Sequence, residues 1–115
     1  MADDVLRVFE YLEASGESPF ARWFDRLNAT AAARVTTALY RLTHGDFSSV
    51  KGVGAGVYEY KIDFGPGYRI YFGRDGDRVI ILLGGSEKKR QWTAIRNAQA
   101  LWTTYKRRKT SAGKD

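Results

Sequence analysis

The chain has no cysteine and a single histidine, His44. Without cysteine there is no disulfide, no thiolate nucleophile and no cysteine-based zinc site, which fits a reducing cytosol. With one histidine there is no Cys/His pair and no H-E-x-x-H motif. Glu59 and Asp63 could share one strand face, but no third ligand stands near them in sequence, so no metal centre is expected. The glycine-rich stretch 46–56 is not followed by Gly-Lys-Ser/Thr, so it is not a phosphate-binding loop. Gly85-Ser86 lacks the surroundings of a nucleophile elbow. No apolar run approaches the roughly 18 residues of a membrane span. The longest pure one is Val79–Leu83. The opening residues, MADDVLRVFE, lack the basic-then-apolar order of a signal peptide. What is left is the expectation of one soluble, cytoplasmic domain that uses no cofactor and no membrane.

The cations are unevenly spread. The net charge is +6, yet residues 1–50 hold five Arg against seven Asp/Glu. Residues 86–115 hold nine Lys/Arg against two Asp/Glu. A basic C-terminal end on a balanced domain suits a polyanion such as nucleic acid, or an acidic protein partner. Its plainer reading is a solvated helix and tail.

Val5–Leu12 reads as a first strand. Ser18-Pro19 then starts a helix, with a capping hydroxyl followed by proline at the first helical position. Phe20, Trp23, Phe24 and Leu27 recur at helical spacing and form a core stripe. Asn28-Ala29-Thr30 breaks and restarts the helix, and Ala31–Thr43 continues it to Gly45. His44 falls in the last turn, where a cation complements the helix dipole. Asp46–Gly56 reads as a loop. Val57–Asp63 alternates, with Tyr58, Tyr60 and Ile62 on one side and Glu59, Lys61 and Asp63 on the other. Gly65-Pro66-Gly67 turns into a second strand, Tyr68–Arg74, and Asp75-Gly76 into a third, Arg78–Leu83. That third run is apolar enough to be covered on both faces. Gly84-Gly85 ends the sheet, with Ser86 capping a helix over Glu87–Arg107. The stripe Trp92, Ile95, Gln99 and Trp102 on that helix reads as core or interface. From Lys106 on, charge outweighs apolar area, and a flexible tail is expected.

This meander has an inner face packed on the helices and an outer face carrying Glu59, Lys61, Asp63, Arg69 and Tyr71. Lys61 and Arg69 lie on adjacent strands. Arg74 ends the second strand, and Lys88, Lys89 and Arg90 crowd the start of the last helix. Positive charge at a helix N-terminus is unfavourable unless an anion binds there. Tyrosines interleave with the cations, as stacking surfaces for bases would, and alternation makes Tyr71 the surface candidate. These features point to a phosphate site.

The segment GVYEYKIDFGPGYRIYFGRDGDRVIILLGGSEKKRQ resembles the RelE/HigB-like toxins, in the branch called addiction module killer or phage-derived Gp49-like proteins. The GPGYR-x-YF stretch followed by a hairpin and LLxGGxxK carries the likeness. It implies an α+β, microbial-RNase-like fold: an antiparallel-rich sheet with an N-terminal helical hairpin and a C-terminal helix, in the order β-α-α-β-β-β-α. Residues 1–106 would be the toxin domain and 107–115 a basic flexible tail. The implied function is the toxin of a type II toxin–antitoxin module, an endoribonuclease that cleaves mRNA on the ribosome and inhibits translation. Its partner would be a helix-turn-helix, HigA-like antitoxin, with operator DNA reached only through that antitoxin.

By the same resemblance Arg69 matches the family's catalytic arginine and Lys61 a lysine on the preceding strand, while Lys88 and Lys89 lie near a family arginine. The RNA-binding set would be Arg74, Lys89 and Arg90. The chain departs from the pattern at KKRQWTAI, which holds neither the Tyr nor the His found near the last helix of such enzymes, and at Asp63, which replaces a second lysine. Glu59 or Tyr71 could then carry the proton. A non-catalytic, ParE-like toxin acting on gyrase and a basic nucleic-acid-binding module stay open.

Overall fold

The computed structural model describes residues 5–113. The expected domain start at residue 1 and the last two residues of the expected tail, 114–115, lie outside the described residues. The elements run β1 (Arg7–Glu10), α1 (Pro19–Phe24), α2 (Ala29–Thr43), β2 (Val50–Gly52), β3 (Val57–Ile62), β4 (Tyr68–Asp75), β5 (Val79–Glu87), a 3-10 turn (Lys88–Arg90) and α3 (Gln91–Gly113). The class is α+β. No helix of the described residues is long and apolar enough to cross a membrane.

The helical pair forms for local reasons. Ser18 Oγ accepts from Ala21 N at 3.0 Å with Pro19 in the first turn, and Asn28 Oδ1 accepts from Ala31 N at 2.9 Å. Each cap satisfies a helix-start N–H that has no partner within the helix. Residue 44 closes α2 as the sequence suggests: His44 Nδ1 lies 2.9 Å from the Tyr40 carbonyl, and Gly45 follows at φ 78.

The sheet is five-stranded in the order β1-β5-β4-β3-β2. Every neighbouring pair is antiparallel except β1 and β5, which run parallel. The pairing of β1 with β5 spans most of the chain and leaves no local signal. β2 lies inside the stretch read as loop; Val50, Lys51 and Gly52 pair with Tyr60, Glu59 and Tyr58.

The larger correction concerns the outer face. One side of the sheet packs Tyr60, Ile62, Ile70, Phe72, Ile80 and Leu82 against α1 and α2. The other side is not open. Val57, Tyr71, Ile81 and Leu83 pack there against Ile95, Ala98 and Trp102 of α3. Tyr71 is fully buried, and so are Glu59 and Arg69. The apolar stripe of α3 needs a surface, and this face supplies it.

Ser86 is not a helix cap. β5 continues through Glu87, pairing Arg69 with Ser86 and Tyr68 with Glu87, and α3 starts only at Gln91. Gly85 permits this course: a Cβ there would sit 2.2 Å from Trp23 Cε3. Gly73 is pressed likewise by Trp102, at 2.5 Å. The basic stretch expected as a tail is helical as far as Gly113. Arg108 Nη1 donates to Leu12 O at 2.9 Å, and Lys109 reaches Asp75. Those contacts offset the low apolar area of the segment. Trp92 is 72% exposed rather than core, because the first turn of α3 meets the sheet through Gln91.

Candidate functional site

Two rows of side chains cross the α3 side of the sheet. Lys51, Glu59 and Tyr71 stand side by side on β2, β3 and β4. Lys61, Arg69 and Ser86 form the next row, on β3, β4 and β5. Alternation puts both rows on one face, and the register sets them in line.

Glu59 is the hub of the first row. It is 1% exposed, and Arg69 is 5% exposed. Arg69 Nε approaches Glu59 Oε2 at 3.7 Å, and Gln91 Nε2 donates to the same oxygen at 3.1 Å. Lys51 Nζ lies 3.9 Å from Glu59 Oε1. Neither that oxygen nor Arg69 Nε makes a hydrogen bond within the described residues. A charge this deep needs a partner to stay ionised, and each of these two supplies the other. Tyr71 OH and Ser86 Oγ share a hydrogen bond of 3.1 Å. Burial pushes the Tyr71 phenol up to about 12; the Ser86 bond opposes this, and the Glu59 charge adds to it.

The second row opens to solvent. A pocket of about 390 Å³ is lined by Lys61, Asp63, the Gly65-Pro66-Gly67 turn, Arg69 and Lys88. The turn and the 3-10 segment are held together by Lys88 N, which donates to Gly67 O at 2.9 Å. Gly67 has φ 79, and a Cβ there would meet both Arg69 Nη1 and Lys88 Cβ at 3.4 Å. Glycine therefore serves the turn and leaves the pocket clear. Arg69 lies at the buried base of this pocket, and the exposed Lys61 and Lys88 stand at its mouth. Lys61 is only partly countered, by Asp63 at 3.6 Å. Three cations converging on one concavity suit a phosphate or another compact oxyanion.

The sequence candidates are thus divided. Arg69, Lys61 and Lys88 come together. Glu59 touches Arg69 but has no open path to solvent, and Tyr71 lies beneath α3. Tyr60 and Tyr68 are buried as well, so the expected tyrosine stacking surface is absent on this face. Lys89 and Arg90 are exposed in the 3-10 turn beside Lys88. Arg74 is elsewhere: it faces the α2 side, stacks over Phe47 at 4.6 Å and donates to Asp77 O at 3.2 Å. Sequence reasoning missed Gln91 and the place of Ser86. Both follow from the extra length of β5, which sets the start of α3 over Glu59. Among the described residues no three His, Asp or Glu side chains stand close enough to hold a metal ion.

Comparison with known proteins bears on this arrangement. The family model described as "Phage derived protein Gp49-like" matches residues 22–112. That span contains the pocket and the network beneath it. An uncharacterized protein of Haemophilus influenzae is 36% identical over 83 residues, covering 71% of this chain and 84% of that protein.

Proposed function

This chain belongs to the phage-derived Gp49-like family, and we propose, from the likeness of that family to addiction-module toxins, that it is the toxin of a toxin–antitoxin pair and cleaves messenger RNA. The observation that carries the cleavage reading is the convergence of Arg69, Lys61 and Lys88 on one open pocket. Phosphoryl transfer needs cations set where charge develops on the phosphate, and these three supply them.

In this reading the RNA 2′-oxygen attacks the adjacent phosphorus in line. A 2′,3′-cyclic phosphate forms, the bond from phosphorus to the 5′-oxygen breaks, and that oxygen leaves with a proton. Arg69 binds the non-bridging oxygens from below. Glu59, itself held by Gln91, keeps Arg69 in place. Burial keeps Glu59 and Tyr71 from the substrate, so proton transfer falls to Lys61 and Lys88. One receives the 2′-proton and the other gives a proton to the leaving 5′-oxygen. Trp92, exposed just past Lys88–Arg90, is the aromatic left for a base to stack on. The antitoxin would be a helix-turn-helix protein, the target mRNA in the ribosome, and the site of action the cytoplasm.

Inducing wild type and Arg69→Lys in cells while mapping transcript 5′ ends tests this. Growth arrest with new 5′ ends that vanish in the variant is the expected result. The burial of Glu59 and Tyr71 favours one second reading, a non-catalytic toxin that binds a protein such as gyrase. Growth arrest with intact transcripts would establish that reading instead.

A further inference from the structure

A second groove adjoins the Arg69 pocket. It lies between α2 and β3, has a volume of about 390 Å³, and shares Lys61 and Asp63 with that pocket. Its other cations are Arg34 and Arg41, two helical turns apart on one face of α2. Thr37 and Ala38 lie between them, short enough to leave the floor open. The Arg34 guanidinium carbon lies over the Phe64 ring, 4.3 Å from its centroid, and has no carboxylate partner among the described residues. A guanidinium placed over a ring can still offer N–H groups to an oxyanion. Asp63 tempers the groove from the Lys61 side, and Asp46 lies close enough to Arg41 to feel its charge. The balance at the groove is still cationic.

We propose that this groove is a second phosphate subsite, in which Arg34 and Arg41 seat a backbone phosphate of the RNA strand next to the one held by Arg69. The proposal rests on the cleavage reading above and adds to it the path of the strand. Two cationic concavities that share Lys61 and Asp63 in their linings fit consecutive phosphates of a single chain. A lone phosphate would need only one of them. Contacts to flanking phosphates position a strand without reading its bases.

The test uses the whole chain and non-cleavable 2′-O-methyl RNA, followed by fluorescence anisotropy across a salt series. A dinucleotide, with one phosphate, is compared with a longer oligonucleotide. Wild type is set against Arg34→Gln/Arg41→Gln, and against Arg96→Gln/Arg107→Gln, which removes the same charge from exposed positions on α3. For the longer RNA the groove variant should bind roughly tenfold more weakly, and its salt slope should fall by about 0.7, the loss of one neutralised phosphate on a single strand. The dinucleotide should bind wild type and groove variant alike. Arg34→Lys/Arg41→Lys should keep the wild-type slope, which separates lost charge from lost fold. Equal losses in the groove and α3 variants would overturn the proposal while leaving cleavage at Arg69 intact. No binding of either RNA by wild type would overturn it too, and transcript mapping would then say whether cleavage itself survives.

Discussion

Arg69 Nε stands 3.7 Å from Glu59 Oε2, with both side chains almost wholly withdrawn from solvent. Each is the other's counter-charge, so removing either strands a buried ion. Glu59→Ala should destabilise the fold by about 3–5 kcal/mol. The double change Glu59→Leu/Arg69→Met should cost clearly less than the sum of its two single changes. Urea unfolding of the four proteins in this cycle measures the coupling. Additive costs would mean that the pair is not coupled in solution.

The mouth of the pocket behaves differently. Lys61 and Lys88 are exposed, and removing an exposed charge moves stability by no more than about 0.5 kcal/mol. Lys61→Met and Lys88→Met should therefore fold normally. Each should still lower RNA cleavage by about a hundredfold, the typical loss for one group that stabilises developing charge. Cleavage rates on a defined transcript, read beside thermal melts, check this. Wild-type rates would remove both lysines from the chemistry.

The glycines beneath the tryptophans carry a steric prediction. A Cβ on Gly85 would lie 2.2 Å from Trp23, and one on Gly73 would lie 2.5 Å from Trp102. Neither indole ring can yield without shifting a packed helix. Gly85→Ala and Gly73→Ala should each cost about 1–3 kcal/mol through overpacking. A melting temperature at the wild-type value would show that the helices move aside freely.

Tyr71 makes stability depend on pH at the alkaline end. Its phenol is pushed up to about 12 in the folded chain, from 10.0. A group whose folded value is raised holds its proton more tightly when folded. Its contribution is therefore complete below about pH 10 and is lost as pH rises toward 12. Tyr71→Phe should flatten the fall in stability over that window relative to wild type. At neutral pH it should cost about 1 kcal/mol through the lost Ser86 bond. Denaturant midpoints taken at several pH values give both numbers. Parallel pH profiles for the two proteins would contradict the assignment.

Much of this fold was legible because its signals are local. Ser18-Pro19 and Asn28 mark helix starts by their own chemistry, and Asp75-Gly76 marks a hairpin. The alternation of β3 sorted Lys61 from Ile62 correctly. What failed was an inference between elements. The run 79–83 reads as a strand covered on both faces, and its neighbour β4 must then be covered as well, which already denies Tyr71 an open face. The stripe Ile95, Ala98 and Trp102 belongs on that face, but nothing within α3 names its partner. At the site, Arg69 and Lys61 could be paired from strand register alone. Gln91 could not, since its contact with Glu59 spans 32 residues and depends on where β5 stops.

The last helix meets the protein at both ends. Gln91 touches Glu59 near the pocket, while Tyr105 and Lys109 hold Asp75 in the β4–β5 hairpin and Arg108 holds Leu12. Such a helix does not fray independently of what it covers. Through these contacts its final turns, the β4–β5 hairpin and the network under Arg69 are tied to one another. Asp75→Asn, which loosens the far end of that helix, should therefore speed exchange of the Tyr71 amide.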